Sequence, residues 1–441
     1  MNIGTNKIGI VVCNYNKSEY VKNCVASLLE QTYADRDIYV VDNASTDDSV
    51  QVLKECYGDR ITIMQNQENL GGAGGFGCGT EYCMEQGYPY IMLVDNDTRF
   101  DANAIEIMYR YLENHEDVGM CGAGILQMKN PVHIQEIGSM IDWQSYGLKP
   151  NYSGEKLSDQ IPETVDCDVL PACALLVRSE VIKKIGVMRK DYFVYWDDIE
   201  WCRRCLDAGW RLVALRDAHV WHNWSARVLT KSNAFTEYYG RRNKLRFFAT
   251  YVEDGEIASF IENALRNMFN ILYGHYKKGA LEEMKASLYA LDDFIHGVWG
   301  KVPMSKISVE HPAELPLEKI LRSREEVYLL PNEQMGNDEG IADIEAVIRF
   351  CNPDIRIIVQ ETGVVPPENA MCIKPCNHVT RVRENILPVV QVDRFLNCIA
   401  EKEDYDYFQN YENAYGLFRS LYEPLMWEGI RKIRNGSKIL R

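Results

Sequence analysis

The 441-residue chain is 46% apolar and 25% charged, the proportions of a globular protein with room for two or three domains. Such proportions exclude a collagen, a coiled coil or a disordered tract. A formal charge of −16 argues against a broad nucleic-acid surface, while phosphates remain bindable where a metal supplies local positive charge. The 14 cysteines are scattered singly, which fits free thiols in a reducing cytosol better than a disulfide framework. Cys202 with Cys205, and Cys372 with Cys376, have spacings a zinc site could use, and helical spacing or coincidence explains them as well. The N-terminal MNIGTNKIGIVV lacks the apolar core of a signal peptide, and no stretch approaches about 18 apolar residues. A cytoplasmic chain without a transmembrane helix is therefore expected.

In chain order, Ile8 to Cys13 reads as a strand that ends in Asn14-Tyr15-Asn16. A helix follows from about Ser18 to Gln31, with Ser18 as its cap and Val21, Val25, Leu28 and Leu29 on one face. Ile38 to Val41 is the next strand; it stops at Asp42, and the Ser and Asp residues of 42–48 can cap a helix running to about Tyr57. Ile61 to Met64 is a third strand, followed by a glycine-rich stretch at 71–75. That stretch is no dinucleotide fingerprint, which belongs after the first strand of its unit. It reads instead as a turn that lets backbone approach a ligand, or simply as a flexible loop. A helix from about Gly75 to Gln86 then leads into Tyr90. The alternation βαβαβαβ implies a doubly wound, mostly parallel sheet with right-handed crossovers.

Tyr90 to Phe100, YIMLVDNDTRF, is an apolar run that stops abruptly at Asp95-Asn96-Asp97. A strand buried on both faces has this pattern, and its carboxyl end opens on the crevice where α/β sheets bind ligands. Two carboxylates there suit Mg²⁺ or Mn²⁺ carrying a diphosphate, and a helix cap is the plainer alternative. A helix at about 102–114 and a strand near Gly119 to Gly122 come next; 127–167 read as irregular and polar, with Trp143, Tyr146 and Tyr152 able to stack on a sugar or pack on the sheet. Val169 to Val177 is apolar again, broken by Pro171, and Ser179 can cap the following helix.

A second chemical segment is Tyr192 to Arg204, YFVYWDDIEWCRR, in which Asp197 and Asp198 open a helix. Capping is one account of them. Tyr195 and Trp196 offer another, since partial desolvation would raise a carboxylate toward working pH, as a general base requires. Farther on, His219-Val220-Trp221-His222 closes an apolar segment, and His222 is a credible third ligand beside the two aspartates.

Taken together, the DND strand, the WDD helix and the Trp-His pair resemble glycosyltransferase family 2 over roughly residues 6–230, closest to its galactofuranosyltransferases and rhamnosyltransferases. The resemblance implies an inverting, metal-dependent enzyme with an α/β, GT-A-type sheet. On it, Asp95, Asp97 and His222 hold Mn²⁺ or Mg²⁺, and Asp198 is the catalytic base. Asn14, Tyr15, Asp42, Asn69, Gly72 and Asn96 lie along the nucleotide-sugar, and Trp196, Asp197, Glu200 and Arg203 support the acceptor side. The donor expected is UDP-galactofuranose, or dTDP-rhamnose as the alternative, and the acceptor a glycan or lipid-linked hydroxyl in cell-envelope synthesis. The middle Asn96 departs from the DDD run of some galactofuranosyltransferases, which weakens the sugar assignment and not the metal site. A nucleotidyltransferase shares sheet and aspartates, but Asn14-Tyr15-Asn16 does not fit its basic, glycine-rich first loop.

The expected domains are a catalytic unit at 1–230, a helical region and linker at 231–324, and a small α/β plus helical module at 325–441. Arg241, Arg242 and Lys244 read as a solvated helix face or, alternatively, a phosphate contact. Pro303, Pro312 and Pro316 mark the linker. The last module has no assigned chemistry; oligomerisation or holding the acceptor are its expected roles. Arg431, Lys432, Arg434, Lys438 and Arg441 make the tail compatible with touching the inner face of the plasma membrane, or with an ordinary exposed helix end.

Overall fold

In a computed structural model, the structure describes residues 6–223, 233–307, 316–331, 339–361, 363, 365–384, 386, 388–393 and 396–439. The chain divides into two units, Met1–Ser225 with Trp299–Lys301, and Ala226–Val298 with Val302–Arg441. Among the described residues no helix is long and apolar enough to cross a membrane.

The first unit is built on twelve strands: β1 (Ile8–Asn14), β2 (Arg36–Asp42), β3 (Thr62–Gln65), β4 (Tyr90–Asp95), β5 (Thr98–Phe100), β6 (Val118–Gln127), β7 (Asn130–Glu136), β8 (Ser139–Asp142), β9 (Gly147–Pro150), β10 (Thr164–Asp166), β11 (Ala174–Arg178) and β12 (Arg211–His222). Its helices are α1 (Ser18–Leu29), α2 (Ser49–Tyr57), α3 (Gly71–Gln86), α4 (Ala104–Asn114), α5 (Ser179–Ile185) and α6 (Asp197–Asp207). The main sheet runs β10-β12-β6-β11-β4-β1-β2-β3, with β5 added to β12 and β7 to β6. Strands β4, β1, β2 and β3 are mutually parallel, as the alternating pattern requires. The one reversal in the middle is β11, antiparallel to both β4 and β6.

Period-two geometry explains why β1 and β4 are apolar without interruption. Ile10, Val12, Met92 and Val94 enter one buried cluster, while Val11, Ile91 and Leu93 enter a second on the other face. Each central strand thus feeds two cores at once.

Several local expectations are corrected. The glycine stretch is no turn: it forms the first turns of α3. A Cβ at Gly79 would fall 2.3 Å from Val11 Cγ1, so the missing side chains let this helix seat directly on β1. Ser18 and Ser179 each begin a helix without capping it. At α1 the carboxylate of Asp47 performs that task, accepting the Ser18 amide at 3.1 Å. Residues 127–167 are not irregular, for they carry β7, the β8–β9 hairpin and β10. Tyr146 sits at φ 52° just before β9, so the aromatic that looked like a loop residue shapes a tight turn.

The second unit begins with three helices, α7 (Ala234–Tyr251), α8 (Ile257–Lys278) and α9 (Leu281–His296). Arg242 overturns the solvated-face reading. It is wholly buried, with its guanidinium 5.1 Å from the ring centres of Tyr238 and Tyr239. After α10 (Pro316–Leu321) come β13 (Glu326–Leu329), α11 (Glu339–Cys351), β14 (Arg356–Val359), β15 (Cys372–Cys376), β16 (Val390–Asp393) and β17 (Cys398–Ile399). These strands form a sheet of order β14-β13-β15-β16-β17, parallel except for β17. Helices α12 (Lys402–Gln409) and α13 (Tyr411–Ile439) close the chain. In the basic tail, Arg434 is turned inward, donating from Nε to the Ala249 carbonyl at 3.0 Å. Pro312 and Arg441, and the side chain of Lys438, lie outside the described residues.

Candidate active site

The carboxyl ends of β1, β2 and β4 share one edge of the sheet, where their polar terminal residues meet. Strand β5 pairs antiparallel with the end of β12, setting Thr98 opposite His222. That register carries Asp97 to the imidazole across a gap of 125 residues. Potential ligand atoms of Asp95, Asp97 and His222 all lie within 4.8 Å of one another. His222 Nε2 is 3.3 Å from Asp97 Oδ1, and its Nδ1 lies 3.0 Å from Gln135 Oε1 on β7. A carbonyl oxygen there favours the proton on Nδ1 and leaves Nε2 as the electron-pair donor. Two hard carboxylates and one imidazole at this spacing fit a divalent Mg²⁺ or Mn²⁺.

Charges around the two aspartates differ. Lys17 donates from Nζ to Asp97 Oδ2 at 2.7 Å. Burial pushes Asp97 upward, but hydrogen bonds and charge from His222 and Lys17 outweigh it and hold the carboxyl near 2. Asp95 is raised to about 6, by burial first and then by the neighbouring charge of Asp97. Nothing in the sequence pattern marked Lys17 or Gln135; each acts on the site only through the folded register.

Beside this corner lies a relay of buried amides. Asn14 is fully buried and donates to Asp42 Oδ2 at 3.0 Å, while Asn96 donates to Asn14 Oδ1 at 2.8 Å. Asp42 also accepts the Ser45 amide at 2.9 Å. The network ties the ends of β1, β2 and β4 together and fixes the angle at which the DND turn leaves the sheet. Tyr15 is exposed and Gly72 lines the cleft, whereas Asn69 accepts the Gly71 amide at 2.8 Å.

Across the cleft, α6 starts from a strained lead-in. Phe193, Tyr195 and Trp196 have φ of 67°, 64° and 66°, in the left-handed region that side chains disfavour. Gly71 makes room for this loop: at φ +73° it has no Cβ, and one would lie 1.9 Å from the Phe193 carbonyl oxygen. The same carbonyl accepts the Ala73 amide at 3.2 Å. Asp198, half-buried at the start of α6, accepts from the Ile199 amide at 2.9 Å and from Ala172 at 3.3 Å. Burial raises its carboxyl despite those bonds. Asp197 is raised well above the ordinary range, by burial and then by the charge of Asp198.

Glu200 and Arg203, both expected to support the acceptor side, have separate partners. Glu200 binds Arg204, with Nε 2.9 and 3.0 Å from the two carboxylate oxygens, one helical turn away on the inward face. Arg203 instead pairs with Asp207 at 2.7 Å and covers the Trp143 ring at 5.5 Å. Cys202 is buried, its thiol donating to the Leu170 carbonyl at 3.5 Å, and all 14 cysteines are free thiols.

Both constellations open on one cavity of about 320 Å³. Asp95, His222, Asp197, Asp198, Gly72 and Trp196 all line it. A doubly wound sheet of this kind belongs to the α/β class that carries its site at the strand ends. Residues 9–185 match the family model described as glycosyl transferase family 2. Curated relatives include galactofuranosyltransferase GlfT2 of Mycolicibacterium smegmatis, 25% identical over 294 residues, or 62% of this chain and 43% of that protein. The GlfT2 of Mycobacterium tuberculosis is 25% identical over 298 residues, 62% of this chain and 44% of its own length. The chain therefore spans less than half the length of these relatives. Among solved structures, GalNAc-T7 with UDP, GalNAc and Mn²⁺ is similar at 11% identity, covering 56% of this chain and 48% of that one, with a TM-score of 0.45. The α/β architecture with a largely parallel central sheet, expected from the sequence, is the fold of the first unit.

Proposed function

We propose that this protein is a metal-dependent, inverting glycosyltransferase that moves a sugar from a nucleotide donor to a hydroxyl of a glycan or lipid-linked glycan. One observation carries the reading: Asp95 and His222 share a single cavity with Asp198. A divalent ion held by Asp95, Asp97 and His222 would neutralise the diphosphate leaving group as a Lewis acid. Inversion by direct displacement asks the chain for one base, and Asp198 fits. Its two amide partners aim the carboxylate, and burial makes it hungrier for the acceptor's proton than an exposed aspartate. Retention through a covalent intermediate would want two carboxylates flanking the bond; Asp197 and Asp198 are chain neighbours on one wall. Asn14, Asp42 and Asn96 hold the nucleotide side of the cleft in shape, and Tyr15 is available to the base.

For the donor we favour UDP-galactofuranose, supported by the relatives named galactofuranosyltransferase, with dTDP-rhamnose as the second choice. Incubation with UDP-, dTDP- and GDP-sugars plus Mn²⁺, reading the nucleotide released, tests both levels. Release from UDP-galactofuranose alone supports the donor; release from none of them sinks the transferase.

A further inference from the structure

Asp97 already has a partner at each oxygen. His222 Nε2 stands 3.3 Å from Oδ1, and Lys17 Nζ stands 2.7 Å from Oδ2. Lys17 belongs to the turn between β1 and α1, three residues beyond the buried Asn14, and its side chain is 44% exposed while that of Asp97 is 10% exposed. A mobile four-carbon stem has thus been folded back so that its ammonium reaches a buried carboxylate 80 residues away. Lys17 also bears electrostatically on Asp95. The ammonium sits where it neutralises the charge that would otherwise draw in a cation.

We infer that Lys17 is a built-in counter-cation that competes with the divalent ion for Asp97, so that ion and nucleoside diphosphate enter the site together. This rests on the proposed function. Charge balance supplies the argument. Asp95 and Asp97 with Lys17 come to a net −1, and the facing imidazole offsets part of that; a lone divalent ion would leave the corner cationic. A diphosphate alone would meet two carboxylates. When both arrive, the ion takes the carboxylates, and the displaced ammonium, on a stem long enough to swing, finds the diphosphate as its next anion. Each ligand then raises the affinity of the other by the same factor. Lys17 is a positioning residue in this account: it acts on the ion through Asp97.

Calorimetry on the full chain tests it, titrating Mn²⁺ with and without saturating UDP. Lys17→Met keeps the stem and removes the charge. It should tighten Mn²⁺ binding in the absence of UDP by about fivefold, as expected for losing one partly exposed ion pair, and weaken the enhancement that UDP gives. Lys17→Arg should keep both near wild type. A merely structural lysine would, on removal, loosen Mn²⁺ binding or leave it alone, and either result overturns the inference. Failure of the functional reading looks different, since the unmodified protein would then bind Mn²⁺ and UDP independently or not at all.

Discussion

Asp97 on the sheet side of the site and the Asp197–Asp198 pair on the helix side are tuned in opposite directions. On the sheet side, Asp97 is kept ionised by two cations, its carboxyl held near 2. On the helix side, burial raises both Asp197 and Asp198. The residue type is the same. What differs is the neighbours: a lysine and an imidazole against backbone amides and aromatic rings. The contrast teaches that a carboxylate's role is set by what surrounds it.

The largest effect should come from the helix wall. Asp198→Asn keeps the shape and one of the two amide contacts but removes the proposed base, and turnover should fall by about 10²–10⁴-fold with UDP–Mn²⁺ affinity within twofold of wild type. Retained turnover would show that the two walls are not divided as described. Next, Asp97→Ala on the sheet wall should abolish the dependence of UDP binding on Mn²⁺ in calorimetry, while a metal titration unchanged from wild type would remove that wall from the donor site. Third comes Gly71→Ala, which forces a Cβ against the Phe193 carbonyl at a positive φ and should lower stability by roughly 1–3 kcal/mol in thermal unfolding. An unshifted melt would mean that the lead-in to α6 has slack. The smallest effect is in pH. Because the base must be ionised and burial raises Asp198, kcat/KM should be full above its raised pKa and fall as pH drops through it, at a higher pH than for an exposed aspartate. Asp197→Asn leaves burial, the cause of the Asp198 shift, in place, so that acid limb should stay where it is. A limb that moves would show that Asp197 is charged when Asp198 titrates.

Much of this site was legible in the chain before folding, because its signals are local. An apolar run ending in Asp95 and Asp97 announces a strand end, and Trp196 to Asp198 announces a helix start beside aromatics. What stayed hidden depends on register between distant strands. Lys17 meets Asp97 only because β1 lies beside β4, and Gln135 meets His222 only because β7 and β12 both lie on β6. Arg204 rather than Arg203 reaches Glu200 because i,i+4 spacing favours it and the buried face of α6 selects it. The glycines of α3 were misread for a related reason. Glycine reports that something must come close, and only the fold shows that β1 and the Phe193 loop do so.

The three left-handed residues before α6 carry a consequence for evolution and engineering alike. Phe193, Tyr195 and Trp196 each hold a conformation that glycine would adopt at less cost, about 1 kcal/mol or more apiece. Glycine at Tyr195, the exposed one of the three, should therefore give a protein that melts later, yet lets the proposed base wander. Selection for heat resistance and selection for turnover pull this loop opposite ways, and libraries screened on melting temperature alone will discard the better catalyst.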